Sequence, residues 1–297
     1  MLITKFSDSL INSYRFCPFQ YWLHYVLELE SSGSGKAATV GHIVHQALEW
    51  MAKLRKRGKT NVDPLWLFER SWDSSFHPDL RKFTSRGESA DYRKCKASFF
   101  KIIDDSFYNP YNLKIIDIER WFSIEFPGPE WEVKENKETK QLKARGYIDL
   151  VHEIDNETIE IVDYKTGSRT GPFNSQEMNF YGLIKKIQAK LYFIAAKILY
   201  PKYKNVILTF YYTKEDGPTT ISLSDEDIPI ILTQLYNIFI TIKNDSLINR
   251  NRSWKCKLCP YNKNDVCSKI WGDLNTMGER YVKNKYHNIN IGDINNG

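Results

Sequence analysis

No stretch of this 297-residue chain approaches the ~20 consecutive apolar residues that a membrane helix needs. Even the segment from Ile228 to Ile242 is interrupted by Pro229, Thr233, Gln234 and Asn237. The opening MLITKFSDSLINSY lacks the basic and apolar regions of a signal peptide, so a cytoplasmic protein is expected, in the host cytoplasm if phage-encoded. No internal repeat is visible, which sets solenoids and propellers aside. Low-complexity bias is missing too: 42% apolar and 14% aromatic residues exclude disordered and collagenous classes. Cysteine is sparse, at five, and in a reducing compartment these are thiols, metal ligands or reactive groups rather than staples. Charge is nearly balanced, 42 basic against 36 acidic side chains, and the surplus of +6 fits an anionic partner without demanding one. The length suits one large or two modest domains.

What is present is an order of elements. Ser7 to Leu29 reads as one helix capped by Ser7 or Asp8, and SSGSGK (Ser31 to Lys36) as a loop. Val40, Ile43, Val44, Ala47, Leu48 and Met51 recur at helical spacing. Residues 53–112 suit several helices. From Ile116 to Phe126 the even positions are Ile, Ile, Arg, Phe, Ile and Phe, the alternation of a strand. Two more strands, about Leu142–Glu153 and Glu157–Lys165, flank the turn Ile154-Asp155-Asn156. A long helix from Asn179 to Tyr200 is stopped by Pro201. VILTFYYT (Val206 to Thr213), the turn Asp216-Gly217-Pro218 and the strand TTISL follow, and Ser224-Asp225-Glu226-Asp227 opens another helix. Lys283 to Gly297 reads as a frayed tail. The order predicts an α/β protein with a mixed central sheet flanked by helices.

The chemistry concentrates in GYIDLVHEIDNETIEIVDYKTG, residues 146 to 167. Asp163 and Lys165 leave the same face of a strand. Asp149 and Asp163 lie seven residues either side of Asn156, so a hairpin folded there sets two carboxylates opposite each other. Such a pair is costly unless a cation sits between, and a hard divalent ion such as Mg²⁺ or Mn²⁺ prefers oxygen ligands. Lys165 beside it can position a water or stabilise charge on a phosphate, which suits metal-assisted phosphodiester hydrolysis. The competing reading is a solvent-facing hairpin, but the apolar Ile159-Ile161-Val162 makes the strand central. His45, at the edge of the apolar helix stripe, reads on its own as a packed or hydrogen-bonded side chain before a ligand, and Gln188 and Tyr192, which project together as i and i+4, as helix-surface residues.

GHIVHQALE, GYIDL, IVDYKTG and QAKLYFIAA, in that order, resemble the PD-(D/E)XK nucleases of the RecB type. The resemblance spans Cys17 to Cys267 and is weakest over residues 53–112. It implies a restriction-endonuclease-like core in which His45, Asp149, Asp163 and the Tyr164 carbonyl ligate the metal and Lys165 is catalytic. Gln188 and Tyr192 match the helix motif that lines the site and contacts nucleic acid. Ile148-Asp149 stands where the family has Pro-Asp, and Glu119 falls where some relatives carry an acid. The chain then divides into N-terminal helices (1–52, with Cys17 and His45), a helical insertion or lid (53–112), the nuclease core (113–223), a C-terminal helix with cysteines (224–280) and a flexible tail (281–297).

Cys256, Cys259 and Cys267 stand in a C-x₂-C-x₇-C spacing, and Cys17 supplies a remote fourth thiol. The second C-x₂-C knuckle usual in zinc sites is lacking, whereas iron–sulfur clusters accept varied spacings. One remote cysteine plus a trio resembles the iron–sulfur nucleases, AddB and the CRISPR-associated RecB-like exonucleases. That implies a [4Fe-4S] cluster, with Zn²⁺ as the alternative, and leaves Cys95 unpartnered. Arg15, in Tyr14-Arg15-Phe16, and Arg145 are candidate nucleic-acid contacts. No helix-turn-helix or C₂H₂ finger is evident, so sequence-specific reading is not expected. The expectation is a Mg²⁺- or Mn²⁺-dependent deoxyribonuclease, exonuclease before endonuclease, acting on single strands or duplex ends. Helicase, annealing or CRISPR adaptation proteins are the expected companions. The rivals are a non-catalytic DNA-binding scaffold subunit and a zinc interaction module.

Overall fold

Nineteen helices and strands follow one another in the computed structural model, which describes residues 3, 5–29, 35–135, 138–169, 180–214, 217–245, 248–287 and 289. They begin with β1 (Lys5–Phe6), α1 (Asp8–Phe16), α2 (Pro18–Tyr25), α3 (Lys36–Lys56), α4 (Pro64–Ser74), the short strands β2 (Phe83–Thr84) and β3 (Gly87–Glu88), and α5 (Ala90–Ile103). Next come β4 (Ile115–Glu125), β5 (Glu132–Glu135), β6 (Glu138–Gln141), β7 (Lys143–Glu153) and β8 (Thr158–Lys165). The chain continues through α6 (Phe180–Lys185), α7 (Ile187–Leu199), β9 (Asn205–Tyr212), β10 (Gly217–Leu223), α8 (Ile228–Asn244) and α9 (Val266–Tyr286). Expectations placed on Ser31 to Ser34, Asn179, Asp216 and residues 290–297 lie outside the described residues.

The sheet is mixed. β7 and β8 pair antiparallel, β8 and β9 parallel, β9 and β10 antiparallel, β1 joins β7 in parallel, and β4 also pairs with β7. The β7–β8 register sets Leu150 against Val162, the hairpin centred on Asn156 that the sequence predicts. Asp155 makes the turn, its Oδ1 accepting from the Glu157 amide at 2.8 Å. β8 is buried at every position from Thr158 to Tyr164, so both faces of the central strand are covered.

Two units divide the chain: Met1–Ser34, Glu125–Ala144 and Leu232–Gly297 in the first, Gly35–Ile124 and Arg145–Ile231 in the second. In the second unit, Ile43, Val44, Ala47, Leu48 and Met51 of α3 form the predicted stripe. They pack with α4, α5 and the sheet residues Leu150, Val162, Tyr164 and Tyr211. Each aliphatic side chain so buried contributes about 1.5–3 kcal/mol. The opposite sheet face carries Phe210, which Tyr192 of α7 stacks upon, and Phe122, which meets Tyr192 edge-on. Gly146 is fixed by that packing, since a Cβ there would lie 2.8 Å from the Phe122 ring.

The first unit has its own aromatic core. Trp131 stacks on Phe126 at 4.1 Å and on Phe239 of α8 at 5.6 Å. A second cluster gathers Cys17, Phe19, Trp22, Leu23 and Leu27 with Tyr261, Val266, Ile270, Val282 and Tyr286.

Five expectations change. The N-terminal helix is two helices, because Cys17 is extended (φ −163°, ψ 118°) and Pro18, which bars continuation of α1, opens α2. The long helix is likewise α6 and α7, parted by an extended Lys186. Asp225–Asp227 is a 3₁₀ turn before α8, and the tail is helical as far as Tyr286. In β4 the alternation slips: Ile118 packs on the α3 side of the sheet, Phe122 on the α7 side, and Arg120 is exposed. Glu119 between them has φ 46°, and such a left-handed residue shifts the phase of a strand as a bulge does.

Candidate active site

Three strands and two helices of the second unit supply the site. His45 is carried by α3, four residues after Gly41, where a Cβ would lie 3.2 Å from the Thr166 hydroxyl. That close approach is what glycine permits at the end of β8. Asp149 comes from β7, just where the ladder with β8 ends: Leu150 is paired to Val162, and beyond it Asp149 Oδ2 accepts from the Tyr164 amide at 3.0 Å. A side-chain carboxylate thus takes the place of a ladder acceptor, and the strands part around it. His45 Nδ1 lies 3.3 Å from the same Oδ2. Glu119 completes the group, its left-handed backbone aiming the carboxylate away from the regular strand phase.

His45, Glu119 and Asp149 each present a ligand atom within 4.8 Å of the other two. Among the described residues no other set of three or more His, Cys, Asp or Glu is so close. Burial pushes Asp149 up to about 6, with Asp163 adding to it against the opposing pull of His45 and Lys165. Burial and Asp149 push Glu119 up to about 7. Two carboxylates that resist ionising together, with an imidazole beside them, are a donor set that a hard divalent cation relieves. The residues fit such an ion. A cavity of about 400 Å³ lined by Gly41, His42, His45, Gln46, Glu49 and Glu119 opens beside them.

Asp163, on β8, is 1% exposed and belongs to a different set of contacts. Lys165 Nζ lies 2.6 Å from its Oδ2, and Gln188 Nε2 donates to its Oδ1 at 2.8 Å. The Tyr192 hydroxyl lies 3.0 Å from the same Oδ1 and 2.7 Å from the Tyr147 carbonyl. Burial drives the Asp163 pKa upward, yet Lys165 and Lys186 outweigh it and hold the carboxylate below its ordinary range. Asp163 is therefore an anion held by Lys165, Lys186 and the Gln188 amide, while Asp149 and Glu119 ionise less readily than ordinary carboxylates. The two kinds of carboxylate differ because nearby positive charge outweighs burial at Asp163 but not at Asp149 or Glu119.

The structure thus brings together His45, Asp149, Asp163, Tyr164, Lys165, Gln188 and Tyr192 in the second unit. Gln188 and Tyr192 grip Asp163, and Tyr192 is only 4% exposed. Arg145 lies on β7 and Arg15 in the last turn of α1 in the first unit. Glu119 is the residue whose part the sequence left undefined. Its one signal there was a position where some relatives carry an acid, with nothing to show the backbone that turns it.

In the first unit Cys17, Cys256, Cys259 and Cys267 are all free thiols. Burial raises Cys259 to about 11, with Cys267, Cys17 and Cys256 adding to it, so the four are close enough to feel one another. Burial also raises Cys267, which the neighbouring Arg250 opposes. No three of these thiols come within 4.8 Å of each other. Cys95 stands apart in the second unit, fully buried, its thiol raised to about 12 by burial.

A central mixed sheet with a carboxylate–histidine triad and a buried Asp-x-Lys pair is the frame of a metal-assisted hydrolase. The PD-(D/E)XK nuclease superfamily matches residues 5–267, and the chain belongs to that superfamily. Its members use divalent metals, in keeping with the donor set here. A crystal structure from Eubacterium rectale, named provisionally as an exonuclease, is similar with a TM-score of 0.51 and 14% identity over 88% of each chain, a likeness of fold. A second solved structure, SSO0001, covers 86% of this chain and 92% of its own at 12% identity, with a TM-score of 0.30, too low to bear on the fold. No curated protein matches the sequence. Among the described residues, no helix is long and apolar enough to cross a membrane.

Proposed function

We propose that the protein is a deoxyribonuclease dependent on Mg²⁺ or Mn²⁺, working from DNA ends or on single strands as an exonuclease. The observation that carries this reading is the His45–Glu119–Asp149 donor set adjoining an intact Asp163–Lys165 pair. His45, Asp149 and Asp163, with the Tyr164 carbonyl and Glu119, would hold the ion. A divalent ion bound there supplies Lewis acidity toward a phosphate oxygen. Lys165 aligns the attacking water and neutralises charge that grows on the phosphate, its ammonium kept in place by Asp163. Gln188 and Tyr192 fix the Asp163 carboxylate, so that it meets the ion without having to reorganise. Asp149 and Glu119 give up their protons when the ion enters, so binding is coupled to pH.

The cysteines support a second cofactor, a [4Fe-4S] cluster on Cys17, Cys256, Cys259 and Cys267. Tetrahedral zinc would draw thiolates to about 3.8 Å from each other. A cluster accepts more widely spaced thiolates, because each binds a different iron. DNA recombination, repair or CRISPR-type processing, with helicase or annealing proteins as companions, is the setting this chemistry suits.

Digestion of end-labelled single- and double-stranded DNA tests the reading. Wild-type protein with Mg²⁺ or Mn²⁺ should degrade DNA, a chelator should stop it, and Asp163→Ala or Lys165→Ala should slow it about 10²–10³-fold or more. Equal rates in wild type and both variants would overturn the assignment, and wild type that digests no DNA with either metal would leave a non-catalytic DNA-binding subunit.

A further inference from the structure

Two large aromatic side chains stand in the open beside the site. Trp121 of β4 is 46% exposed and Tyr147 of β7 is 55% exposed, and their rings touch at 4.8 Å with planes inclined by 50°. Single exposed aromatics are ordinary on protein surfaces, but a contacting pair is not explained by packing. Their side of the sheet follows from their neighbours. Phe122 meets Tyr192 of α7, and Gly146 faces Phe122, so strand alternation turns Trp121 and Tyr147 to the opposite face. That is the face on which α3 carries His45.

Both rings are also close along the chain to the metal-binding donors. Trp121 is two residues from Glu119 on β4, and Tyr147 is two residues from Asp149 on β7. Two residues of strand span about 7 Å. The main chain of Tyr147 is tied to the site directly, its carbonyl 2.7 Å from the Tyr192 hydroxyl that also contacts Asp163. Arg145 is next along the same strand face, its Nε buried without a hydrogen-bond partner among the described residues.

We propose that Trp121 and Tyr147 form a stacking platform for an unpaired nucleobase flanking the phosphodiester at the His45–Glu119–Asp149 centre. This rests on the nuclease reading and extends it to substrate choice. Aromatic faces accept any base once its stack is open, whereas a base inside a duplex hides its face. The platform therefore selects single strands or frayed ends, with Arg145 supplying positive charge to the adjoining phosphate.

Fluorescence anisotropy in Ca²⁺ separates this from general electrostatic binding. The probes are a single-stranded oligothymidine, the same strand with abasic positions, and a blunt duplex. Wild type should bind the intact strand roughly tenfold tighter than the abasic strand, the scale of one lost base stack. Trp121→Ala and Tyr147→Ala should abolish that ratio, while Trp121→Phe and Tyr147→Phe keep it. Equal affinity of wild type for intact and abasic strands would overturn the platform, as would a ratio that survives both alanine variants. The Phe variants and the wild-type ratio still decide the matter if an alanine variant does not fold. A clear ratio with cleavage indifferent to Lys165→Ala would sink the nuclease reading alone. Lys165-dependent cleavage with no ratio would sink the platform alone.

Discussion

The two units assemble their ligands in opposite ways. In the second, the side chains sit on strands of a buried sheet and on packed helices, and the two aspartates are held by contacts that need no ion. Asp163 is gripped by Lys165, Gln188 and Tyr192, and Asp149 by the Tyr164 amide. In the first, Cys17 sits at a break between two helices, while Cys256 lies in the 3₁₀ segment Trp254–Leu258 and Cys259 caps it. Cys267 alone is inside a long helix. Burial raises Cys259 and Cys267, Cys17 sits with them among apolar neighbours, and short 3₁₀ segments hold position poorly without help. The contrast teaches that one centre is held in place before any ion arrives, whereas the proposed cluster would have to order its own ligands.

The largest expected effect follows from that difference. Cys259→Ala should strip iron and sulfide from anaerobically purified protein and cost about 4 kcal/mol or more of stability, the range of a lost structural metal. Lys165→Ala should instead slow cleavage about 10²–10³-fold or more while iron content stays near wild type. Iron analysis, calorimetry and DNA digestion on the same two variants read both halves. If Cys259→Ala keeps its melting temperature, or Lys165→Ala loses its iron, the two centres are not divided as described. Colourless, zinc-loaded wild type would remove the cluster and leave the nuclease centre untouched.

A smaller effect concerns protons. Burial lifts Asp149 to about 6 and Glu119 to about 7, so between about pH 4 and pH 7 the metal-free native protein holds more protons than its unfolded chain. Native-state stability then falls as pH rises through that window. A divalent ion reverses this by favouring the ionised carboxylates. The rise in melting temperature on adding Mg²⁺ or Mn²⁺ should therefore be larger near pH 7.5 than near pH 5.5, reaching about 2.7 kcal/mol at a hundredfold excess over Kd. Glu119→Gln should flatten the dependence. An equal metal-induced shift at both pH values would show that these carboxylates are not the ligands.

How much of this was legible depends on what each feature requires. The hairpin centred on Asn156 was readable because turn residues and two apolar runs agree locally, and it alone brings Asp149 near Asp163. The α3 stripe was readable from its period. The break at Cys17–Pro18 was marked by the proline, though the aromatic run on both sides reads as continuous. The break at Lys186 had no mark, because apolar spacing continues across it; its extended backbone sets Nζ 4.2 Å from the Phe210 ring. Glu119 was the hardest. A left-handed glutamate in mid-strand contradicts local preference, and only tertiary contacts make it pay. The two units were hidden for a simpler reason, since each is built from separated segments.

The smallest prediction isolates the fifth cysteine. Cys95 lies on α5 between α3 and the sheet, with its thiol 3.7 Å from the Val40 carbonyl and its pKa raised by burial, so it has neither the exposure nor the ionisation of a ligand. It belongs to the second unit and the four clustered thiols to the first. Cys95→Ala should cost only about 1 kcal/mol, the scale of a small buried group lost from a packed core. Iron per chain should stay at the wild-type value, because no cluster thiol is touched. A fall in iron equal to that of Cys259→Ala would erase the four-plus-one division of the cysteines, and with it the separation of a structural centre from a catalytic one.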